Sequence, residues 1–341
     1  MKKKFWGLLT LLSLLALLLT TLGGTGNTKA ASKTETIKIG YMNSVNSVGL
    51  VAIAKEAGYF KAQGLNVKLV EFSDGPSIIA AMKSGSVDIG EIGPGAHTQV
   101  AQGNAKIVMF DGLSTSDKII ANKKSGITSI KDLKGKKVAV VAGTTSQVIL
   151  DAALKKAGMT ESDVKVVSMS VNSIVNAMVS GKIDAAATWA PGTTKIKEKL
   201  GSNAITLAKD SDFTSSMPFT CSWIVTPSYA KKNKATILKF DKAMLQAMNY
   251  RKNGGKNAAK WIAQQLGLSV SDVKKQITST EKIYSAKQVV ELINNGELFK
   301  YYTKQQKNFI KLGLLKDNGK LKTAKNYVMT DMIKKAAAAI E

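Results

Sequence analysis

Two stretches, Ile78–Gly90 (IIAAMKSGSVDIG) and Ile174–Ala186 (IVNAMVSGKIDAA), decide the fold of this 341-residue chain. The second begins 96 positions after the first, and the paired Ala, Met, Ser, Gly and Asp residues are identical. In both stretches apolar residues recur at helical spacing, a Ser-Gly pair stops the helix, and a short apolar strand follows an aspartate. The repeat therefore predicts two related halves, each with a helix that leads into a strand.

Each copy is flanked by features that complete an α/β unit. An apolar strand is predicted upstream at Thr36–Tyr41 for the first copy and at Lys137–Ala142 for the second, and a Pro-Gly turn follows each copy. Strands that alternate with helices at this spacing predict a mainly parallel sheet. The length agrees, because the ~310 residues left after a leader exceed what one core usually holds. We therefore expect an α/β protein with two lobes.

Two further apolar strands, Lys118–Ala121 (KIIA) and Ser222–Val225 (SWIV), fit a pair of crossing strands that form a hinge between the lobes. The predicted division is residues 31–119 for the first part of lobe 1, residues 120–222 for lobe 2, and residues 223–341 for the hinge return and the rest of lobe 1. Helical periodicity in that last part predicts helices packed on lobe 1: residues 235–249, 255–266 and 327–340.

The N-terminus has the order of an export signal. Lysines follow Met1, an apolar run extends from Phe5 to Leu22, and small polar residues come next. We expect cleavage after Ala30, so that residues 1–30 form a signal peptide, although the run is long enough to stay in the bilayer as an anchor. Both alternatives place the chain at the outer face of the membrane or in a periplasm. Cys221, the only cysteine, lies far from this segment, which excludes a lipid on a cysteine at the cleavage site and leaves a buried free thiol.

Candidate ligand contacts follow from the strand ends, because ligands bind beyond the carboxyl ends of the strands in open α/β sheets. The loops after the predicted strands give the candidate ligand-binding residues: Tyr41, Asn43, Ser44, Asp74, Gly93, Pro94, Gly143, Thr144, Thr145, Ser146, Asn172 and Trp189. The repeat aspartates Asp88 and Asp184 are expected instead to cap a helix or to bond to backbone near a turn.

The most specific of these signals is GTTS at residues 143–146, between an apolar strand and a predicted helix at residues 147–157. Backbone N–H groups and hydroxyls at a helix N-terminus suit sulfonate, carboxylate or phosphate oxygens. The alternative is ordinary capping by one hydroxyl. Trp189 either walls the cleft or packs in the core, and Asp74 either accepts from a ligand amine or caps the next helix.

Charge and composition exclude several function classes. The net charge is +25, with 49 Lys and Arg against 24 Asp and Glu, but the lysines are scattered along helical segments rather than gathered with aromatics. This pattern argues against a nucleic-acid partner. His97 and Cys221 are the only residues of their types, so neither a metal-ligand set nor a catalytic triad is available. We expect neither an enzyme nor a bound cofactor.

Several short segments carry a family resemblance that extends from residue 36 to about residue 226. They are Ala54–Phe60 (AKEAGYF), Gly64–Val67 (GLNV), Ser84–Asp88 (SGSVD), and DLKGKKVAV at residues 132–140 followed by GTTS. The chain resembles ABC-transporter substrate-binding proteins for taurine, aliphatic sulfonates, nitrate and thiamine pyrimidine precursors. The resemblance implies a type II periplasmic-binding fold whose lobes close on a ligand, and an ABC permease and ATPase complex as partner. We expect a monomer.

The expected function is capture of a small anionic or zwitterionic, sulfonate-like molecule for an ABC importer. By resemblance, residues 143–146 stand where sulfonate-binding members hold the anion. Arg251, the only arginine, falls in the helical tail, so the cleft loops must use backbone amides, hydroxyls and lysine instead of a guanidinium. Two alternatives stay open: a binding protein for a thiamine-precursor pyrimidine or another nitrogen heterocycle, and a ligand-sensing subunit of a signalling system.

Overall fold

The computed structural model describes residues 34–340. The predicted export signal and its cleavage position lie outside the described residues. Within that range the strands are β1 (Glu35–Met42), β2 (Leu65–Phe72), β3 (Ile89–Ile92), β4 (Lys106–Ser114), β5 (Lys118–Asn122), β6 (Lys137–Val140), β7 (Lys165–Ser168), β8 (Ala185–Thr188), β9 (Ala204–Lys209), β10 (Thr220–Val225) and β11 (Glu281–Ile283).

Helices cover both sheets and form most of the C-terminal third. Over the same range they are α1 (Val45–Glu56), α2 (Tyr59–Ala62), α3 (Gly75–Lys83), α4 (His97–Ala101), α5 (Thr145–Lys156), α6 (Val171–Val179), α7 (Gly192–Leu200), α8 (Pro227–Lys232), α9 (Lys234–Lys252), α10 (Ala258–Leu266), α11 (Val270–Ile277), α12 (Ala286–Asn294), α13 (Glu297–Leu312), α14 (Ala324–Tyr327) and α15 (Thr330–Ala337). None of these described helices has the length and apolar character that a membrane crossing requires.

The strands form two sheets, one in each lobe. The first has the order β11-β4-β10-β3-β1-β2, and the second has the order β7-β6-β8-β5-β9. In lobe 1, β1 pairs in parallel with β2 and β3; in lobe 2, β6 pairs in parallel with β7 and β8. Antiparallel strands complete both sheets, β10 beside β3 and β5 beside β8. The prediction of two α/β lobes with parallel sheet centres is confirmed.

The two repeated segments occupy equivalent places in the two sheets. As predicted, α3 leads into β3 and α6 leads into β8. Asp88 Oδ2 accepts a hydrogen bond from Lys38 N at 2.8 Å, and Asp184 Oδ2 accepts one from Lys137 N at the same distance. Each aspartate therefore ties the turn before β3 or β8 to the neighbouring parallel strand, β1 or β6, which is the structural role that we expect for them.

The chain crosses between the lobes twice. The first crossing runs from β4 through Thr115–Asp117 into β5, and the second runs from β9 through residues 210–219 into β10. The two predicted hinge strands lie at these crossings, KIIA within β5 and SWIV within β10. Each strand pairs within one sheet, so the joint consists of the connections beside them. The predicted lobe limits, 119/120 and 222/223, fall inside β5 and β10. Which residues move together as one lobe stays a prediction.

The C-terminal helices pack on lobe 1, as predicted. The helix α9 contacts both α1 and α15, and all three contribute to one hydrophobic core with the lobe 1 sheet. The predicted segments at residues 235–249, 255–266 and 327–340 correspond to α9, α10 and the pair α14–α15. Helix α13, which is not among the predicted segments, packs on both lobes: Tyr302 lies in the core of lobe 1, and Phe309 lies in the core of lobe 2. The tail thus also contacts the second lobe.

Candidate ligand-binding site

A cavity opens between the lobes, where β1, β3 and β6 end, and its volume of about 30 Å³ leaves room for about two water molecules. Small-molecule sites usually measure ~300–1,000 Å³, so a solute fits here only when the lobes lie further apart. The predicted contacts that line it are Ser44, Gly93, Pro94, Thr144, Thr145 and Trp189. The lining residues that are not among the named candidates are Met42, Asn46, Gly75, Glu91, Ala96, Ser114, Ser116, Asp117 and Cys221; of these, Asn46, Gly75 and Ala96 lie in the strand-end loops that supplied the candidates.

The lobe 1 wall of the cavity contains the N-terminus of α1. Ser44 is the N-cap of this helix, and its hydroxyl accepts from Ser47 N at 3.4 Å. The Ser47 hydroxyl in turn accepts from Met42 N at 2.8 Å, which fixes the end of β1 against the start of the helix. Unpaired N–H groups in the first turn of a helix favour an anion or a polar oxygen. Ser44 therefore lies at a position that can hold such a group.

The lobe 2 wall contains the N-terminus of α5, built from the predicted GTTS segment. Gly143 has a positive φ of 70°, and its N–H donates to Gln147 Oε1 at 3.0 Å. Thr144 is the N-cap: its hydroxyl accepts from Ser146 N at 3.2 Å and donates to the Val141 carbonyl at 2.7 Å. Thr144 and Thr145 line the cavity, whereas Gly143 does not.

Ser146 differs from its neighbours because its hydroxyl is used entirely within the protein. It accepts from Val141 N at 2.9 Å and donates to the Ala187 carbonyl of β8 at 2.6 Å, and the residue is fully buried. The structure therefore gives Ser146 a role in holding α5 to the sheet, outside the cavity lining.

The lobes touch where the loop after β3 meets α5. Gly95 N donates to Thr145 Oγ1 at 3.3 Å, and a Cβ atom at Gly95 would lie only 2.1 Å from the carbonyl carbon of Thr144. A side chain therefore cannot be placed here without separating the lobes. The glycine allows Gly93 and Pro94 to approach the N-terminus of α5 and to close one side of the cavity.

Three predicted contacts of lobe 1 lie outside the cavity lining. The Tyr41 side chain is buried; its hydroxyl accepts from Gln265 Nε2 at 2.9 Å and donates to Glu71 Oε2 at 3.3 Å. Asn43 Nδ2 donates to the same Glu71 carboxylate at 2.9 Å. Asp74 caps α3, since its Oδ1 accepts from Ser77 N at 2.8 Å, which is the capping alternative.

In lobe 2, Asn172 and Trp189 have different positions. Asn172 is exposed on the first turn of α6 and does not line the cavity. Trp189 lines the cavity and also packs in a core cluster with Ile174 and Met178, so both of its alternatives hold at once. The residue is 8% exposed, so most of it is buried.

Two acidic residues in the cavity were not predicted. Glu91 is the next-to-last residue of β3, two residues before Gly93, and it is 1% exposed. Burial, followed by the charges of Asp111 and Glu281, raises the pKa of Glu91. Asp117 lies in the first crossing and is 2% exposed. Burial and the neighbouring Asp210 raise the pKa of Asp117.

Glu91 has a strand-end signal in the sequence, since it directly precedes the Ile-Gly-Pro-Gly turn that supplied predicted contacts. The lining residues of the first crossing, Ser114, Ser116 and Asp117, also form a polar cluster between two apolar strands. The prediction took only the loops after the strands of the two α/β units, so it missed both Glu91, which lies within a strand, and the first crossing. Asp117 Oδ2 accepts from the Ser114 hydroxyl at 3.2 Å and from the Ser116 hydroxyl at 3.4 Å.

The arginine and the histidine both lie behind the cavity. Arg251 is buried, with Nη1 2.8 Å from Glu281 Oε2 and Nη2 3.4 Å from Asp111 Oδ1. His97 bonds through Nδ1 to the Pro94 carbonyl at 3.0 Å and through Nε2 to the Ser222 hydroxyl at 2.9 Å. Burial lowers the pKa of His97 to about 4. The ring thus anchors the loop that lines the cavity.

Metal chemistry has no visible centre in the described part of the chain. Residues 34–340 contain no group of three or more His, Cys, Asp or Glu side chains placed to hold a metal ion. Cys221 is a buried free thiol, as expected, and it lines the cavity.

Comparison with known proteins agrees with this architecture. A binding protein of Brucella abortus (strain 2308) is 31% identical over 280 residues, which cover 82% of this chain and 86% of that protein. The taurine-binding periplasmic protein of Escherichia coli (strain K12) is 30% identical over 194 residues, or 55% of this chain and 58% of that protein.

The solved structure of the alkanesulfonate-binding protein SsuA from Xanthomonas axonopodis pv. citri, bound to MOPS, has a TM-score of 0.67 and 21% identity. The superposition covers 87% of this chain and 99% of the SsuA chain, so the fold of this chain is that of a two-lobed binding protein. The family described as NMT1/THI5 like matches residues 45–258. The chain therefore belongs to the NMT1/THI5-like family.

Proposed function

We propose that this chain is the solute-binding component of an ABC importer and captures a small molecule in the cavity between its lobes. The observation that carries the proposal is that both lobes and the first crossing line one cavity: Ser44 from lobe 1, Thr144 from lobe 2, and Asp117 from the joint. A ligand that contacts both lobes favours their closed arrangement. The names of the relatives, which are binding proteins for taurine and alkanesulfonates, support the same proposal.

The proposed ligand is small and polar, with an acidic or carbonyl group held at the helix N-termini. The first turns of α1 and α5 meet the cavity at Ser44, Thr144 and Thr145. Two partial positive helix ends and their hydroxyls suit a sulfonate-like oxygen set without an arginine. A zwitterion fits better than a simple anion, because Glu91 and Asp117 line the same cavity. That also keeps the nitrogen-heterocycle alternative open.

The site that we propose is smaller than the predicted one. Among the predicted residues, the ligand contacts are those that line the cavity: Ser44, Gly93, Pro94, Thr144, Thr145 and Trp189. The others lie outside the lining: Tyr41, Asn43, Asp74, Gly143, Ser146 and Asn172. We also propose a monomer that is exported by means of residues 1–30 and delivers its ligand to a membrane permease and its ATPase. A ligand-sensing role uses the same clamp with a different partner.

Thermal unfolding of the purified protein tests the ligand class. A ligand that binds only the folded state at ~100 times its Kd adds about 2.7 kcal/mol to the free energy of unfolding. We expect one member of a panel to raise the Tm by several degrees: taurine, alkanesulfonates, nitrate, bicarbonate, an aminopyrimidine and riboflavin. A Tm unchanged by every compound would contradict the proposed ligand class. A permease and ATPase gene pair beside this gene favours import, whereas a sensor-kinase neighbour favours signalling.

The variant Thr144→Ala tests whether the N-terminus of α5 contacts the ligand. We expect it to weaken binding of the stabilising compound about tenfold, since a lining hydroxyl and the order of the first turn are both lost. Thr160→Ala is the matched control: Thr160 is a capping threonine of the same lobe, and it does not line the cavity. Equal affinities of the two variants in titration calorimetry would remove Thr144 from the site.

A further inference from the structure

The cavity contains acceptor atoms that the protein leaves without a partner. Glu91 Oε2 and Asp117 Oδ1 are buried, and neither receives a hydrogen bond from any residue between 34 and 340. Asn46 Oδ1, a third acceptor of the lining, is in the same state. Buried polar atoms of folded proteins are nearly always hydrogen-bonded, so each such atom calls for an explanation. All three atoms belong to side chains that line one cavity.

The cavity lining itself carries no positive charge, although Lys118, the residue after Asp117, acts on that carboxyl from outside the lining and lowers its pKa against the larger effect of burial. Lys, Arg and His are all absent from the lining formed by the described residues. Arg251 is already paired with Glu281 and Asp111, and the His97 ring is bonded to the Pro94 carbonyl and to Ser222. An unpaired buried carboxylate is strongly disfavoured, and a hydrogen-bonded cation beside it removes that penalty.

Further negative charge lies directly behind the acceptors. Asp111 and Glu281 both act on Glu91, and the single guanidinium of Arg251 is shared between those two carboxylates. Asp117 faces Asp210 across the two crossings, and its N–H donates to Asp210 Oδ2 at 3.2 Å. Burial and these neighbours raise the pKa values of Glu91 and Asp117 and favour their protonated forms. An entering cation reverses that preference.

We propose that Glu91 and Asp117 select the solute by binding an amine or amidine group that carries N–H donors. The inference rests on the proposed function and names its substrate class: a zwitterion or an amino-substituted heterocycle, and no simple sulfonate or nitrate. The helix N-termini at Ser44 and Thr144 hold the acceptor end of the same molecule. Charge-assisted hydrogen bonds to a buried carboxylate discriminate strongly against an analogue that lacks the donor.

Titration calorimetry of the purified protein with matched probes tests this selectivity. Taurine and ethanesulfonate share the sulfonate and differ in the amine, and 4-amino-5-hydroxymethyl-2-methylpyrimidine is compared with its analogue without the amino group. We expect at least one N–H probe to bind at least tenfold more tightly than its partner, which corresponds to about 1.4 kcal/mol. The two pairs also distinguish an amine source from a heterocycle source.

Glu91→Gln and Asp117→Asn test the two residues, with Asp241→Asn as the matched control. Asp241 is a fully buried carboxyl of α9 whose two oxygens also have no partner in the described range, but it lies outside the cavity lining. We expect the first two variants to lose tenfold or more in affinity for the N–H probe, while Asp241→Asn binds it as the wild type does. Near-ultraviolet circular dichroism verifies that each variant is folded.

The outcomes separate this inference from the function on which it rests. If in both pairs the analogue without the N–H group binds as tightly as its partner, or if Glu91→Gln and Asp117→Asn retain wild-type affinity, the selection by carboxyl groups is wrong and the solute-binding function stands. If the folded wild type binds none of the four probes, both the inference and the proposed ligand class are contradicted. If only the N–H probes bind and both variants lose them, the inference is supported.

Discussion

The turn from β1 to α1 and the turn from β6 to α5 use the same hydrogen bond to point a helix N-terminus at the cavity. In lobe 1 the Ser47 hydroxyl accepts from Met42 N at 2.8 Å, and in lobe 2 the Ser146 hydroxyl accepts from Val141 N at 2.9 Å. In both lobes, a serine near the start of the helix therefore fixes the end of the preceding strand. The likeness of the two halves therefore includes the bonding of these turns, which lie outside the repeated segments.

The two turns differ in what the serine hydroxyl does next. Ser146 donates to the Ala187 carbonyl at 2.6 Å, which ties its turn to the neighbouring strand. The Ser47 hydroxyl is close enough to Glu91 to favour its ionised form, against the larger pKa rise caused by burial. One lobe thus uses the hydroxyl to fix the backbone, and the other uses it beside an acid in the cavity. A shared turn geometry can therefore support two different kinds of cavity wall.

Removing the serine hydroxyl from each turn should change the free energy of unfolding more than any other variant in this comparison. Ser146→Ala loses two hydrogen bonds and leaves a buried N–H and a buried carbonyl unpaired, so we expect the free energy of unfolding to fall by about 2–4 kcal/mol. Ser47→Ala loses one backbone bond, and we expect a fall of about 1–2 kcal/mol. Urea unfolding of both variants measures the difference. Equal losses would mean that the bond to Ala187 contributes nothing.

The stability of the protein should depend on pH through Asp210, a buried carboxyl at the joint between the lobes. Burial raises the pKa of Asp210 to about 7. A carboxyl group with a raised folded-state pKa contributes its full stability below pH ~4, where it is protonated in both states, and that stability is lost as the pH rises toward 7. We therefore expect Asp210→Asn to raise the Tm at pH 8 by a few degrees and to change it little at pH 4.

Asp331→Asn is the control for this measurement, because the Asp331 carboxylate is 99% exposed on α15. We expect its Tm to follow the wild-type profile at every pH. If the Asp210→Asn profile also coincides with that of the wild type, ionisation of the buried Asp210 carboxyl does not destabilise the folded protein.

The repeat aspartates give the smallest and most symmetrical test. Asp88→Asn and Asp184→Asn each weaken one bond to a strand N–H, and both side chains are only half-buried. We expect each variant to lose about 1 kcal/mol of unfolding free energy, with no change in ligand affinity. A loss at one position alone, measured by thermal unfolding, would show that the two halves have diverged where their sequences are identical.

The fold was predictable from local patterns, because each helix–strand unit is encoded within a few residues. The repeat placed α3, β3, α6 and β8 correctly, and the two apolar strands marked the crossings. Helix α13 was less predictable, since nothing in its periodicity indicates that Phe309 contacts a different lobe from Tyr302. Local periodicity specifies which face of a helix is apolar, and only tertiary packing specifies what covers it.

The sequence predicted which loops reach the cavity, but it did not predict which side chains of those loops point into it. Thr144 and Ser146 belong to one short motif, but only the first lines the cavity, because the second meets a carbonyl of β8. Tyr41 is held by Gln265, which is distant in sequence, so its orientation depends on α10. The acidic lining was missed because a carboxyl group in a strand that is otherwise apolar becomes informative only once its burial and lack of a partner are known.

The single cysteine of the chain makes the opening of the cleft a measurable rate. Cys221 lines the cavity and is 2% exposed, and burial raises the pKa of its thiol. Since the thiolate is the reactive form, a maleimide can react only during the time in which the lobes separate and water reaches the sulfur. The labelling rate of the native protein therefore reports how often the lobes open, and a bound solute should lower this rate in proportion to its occupancy.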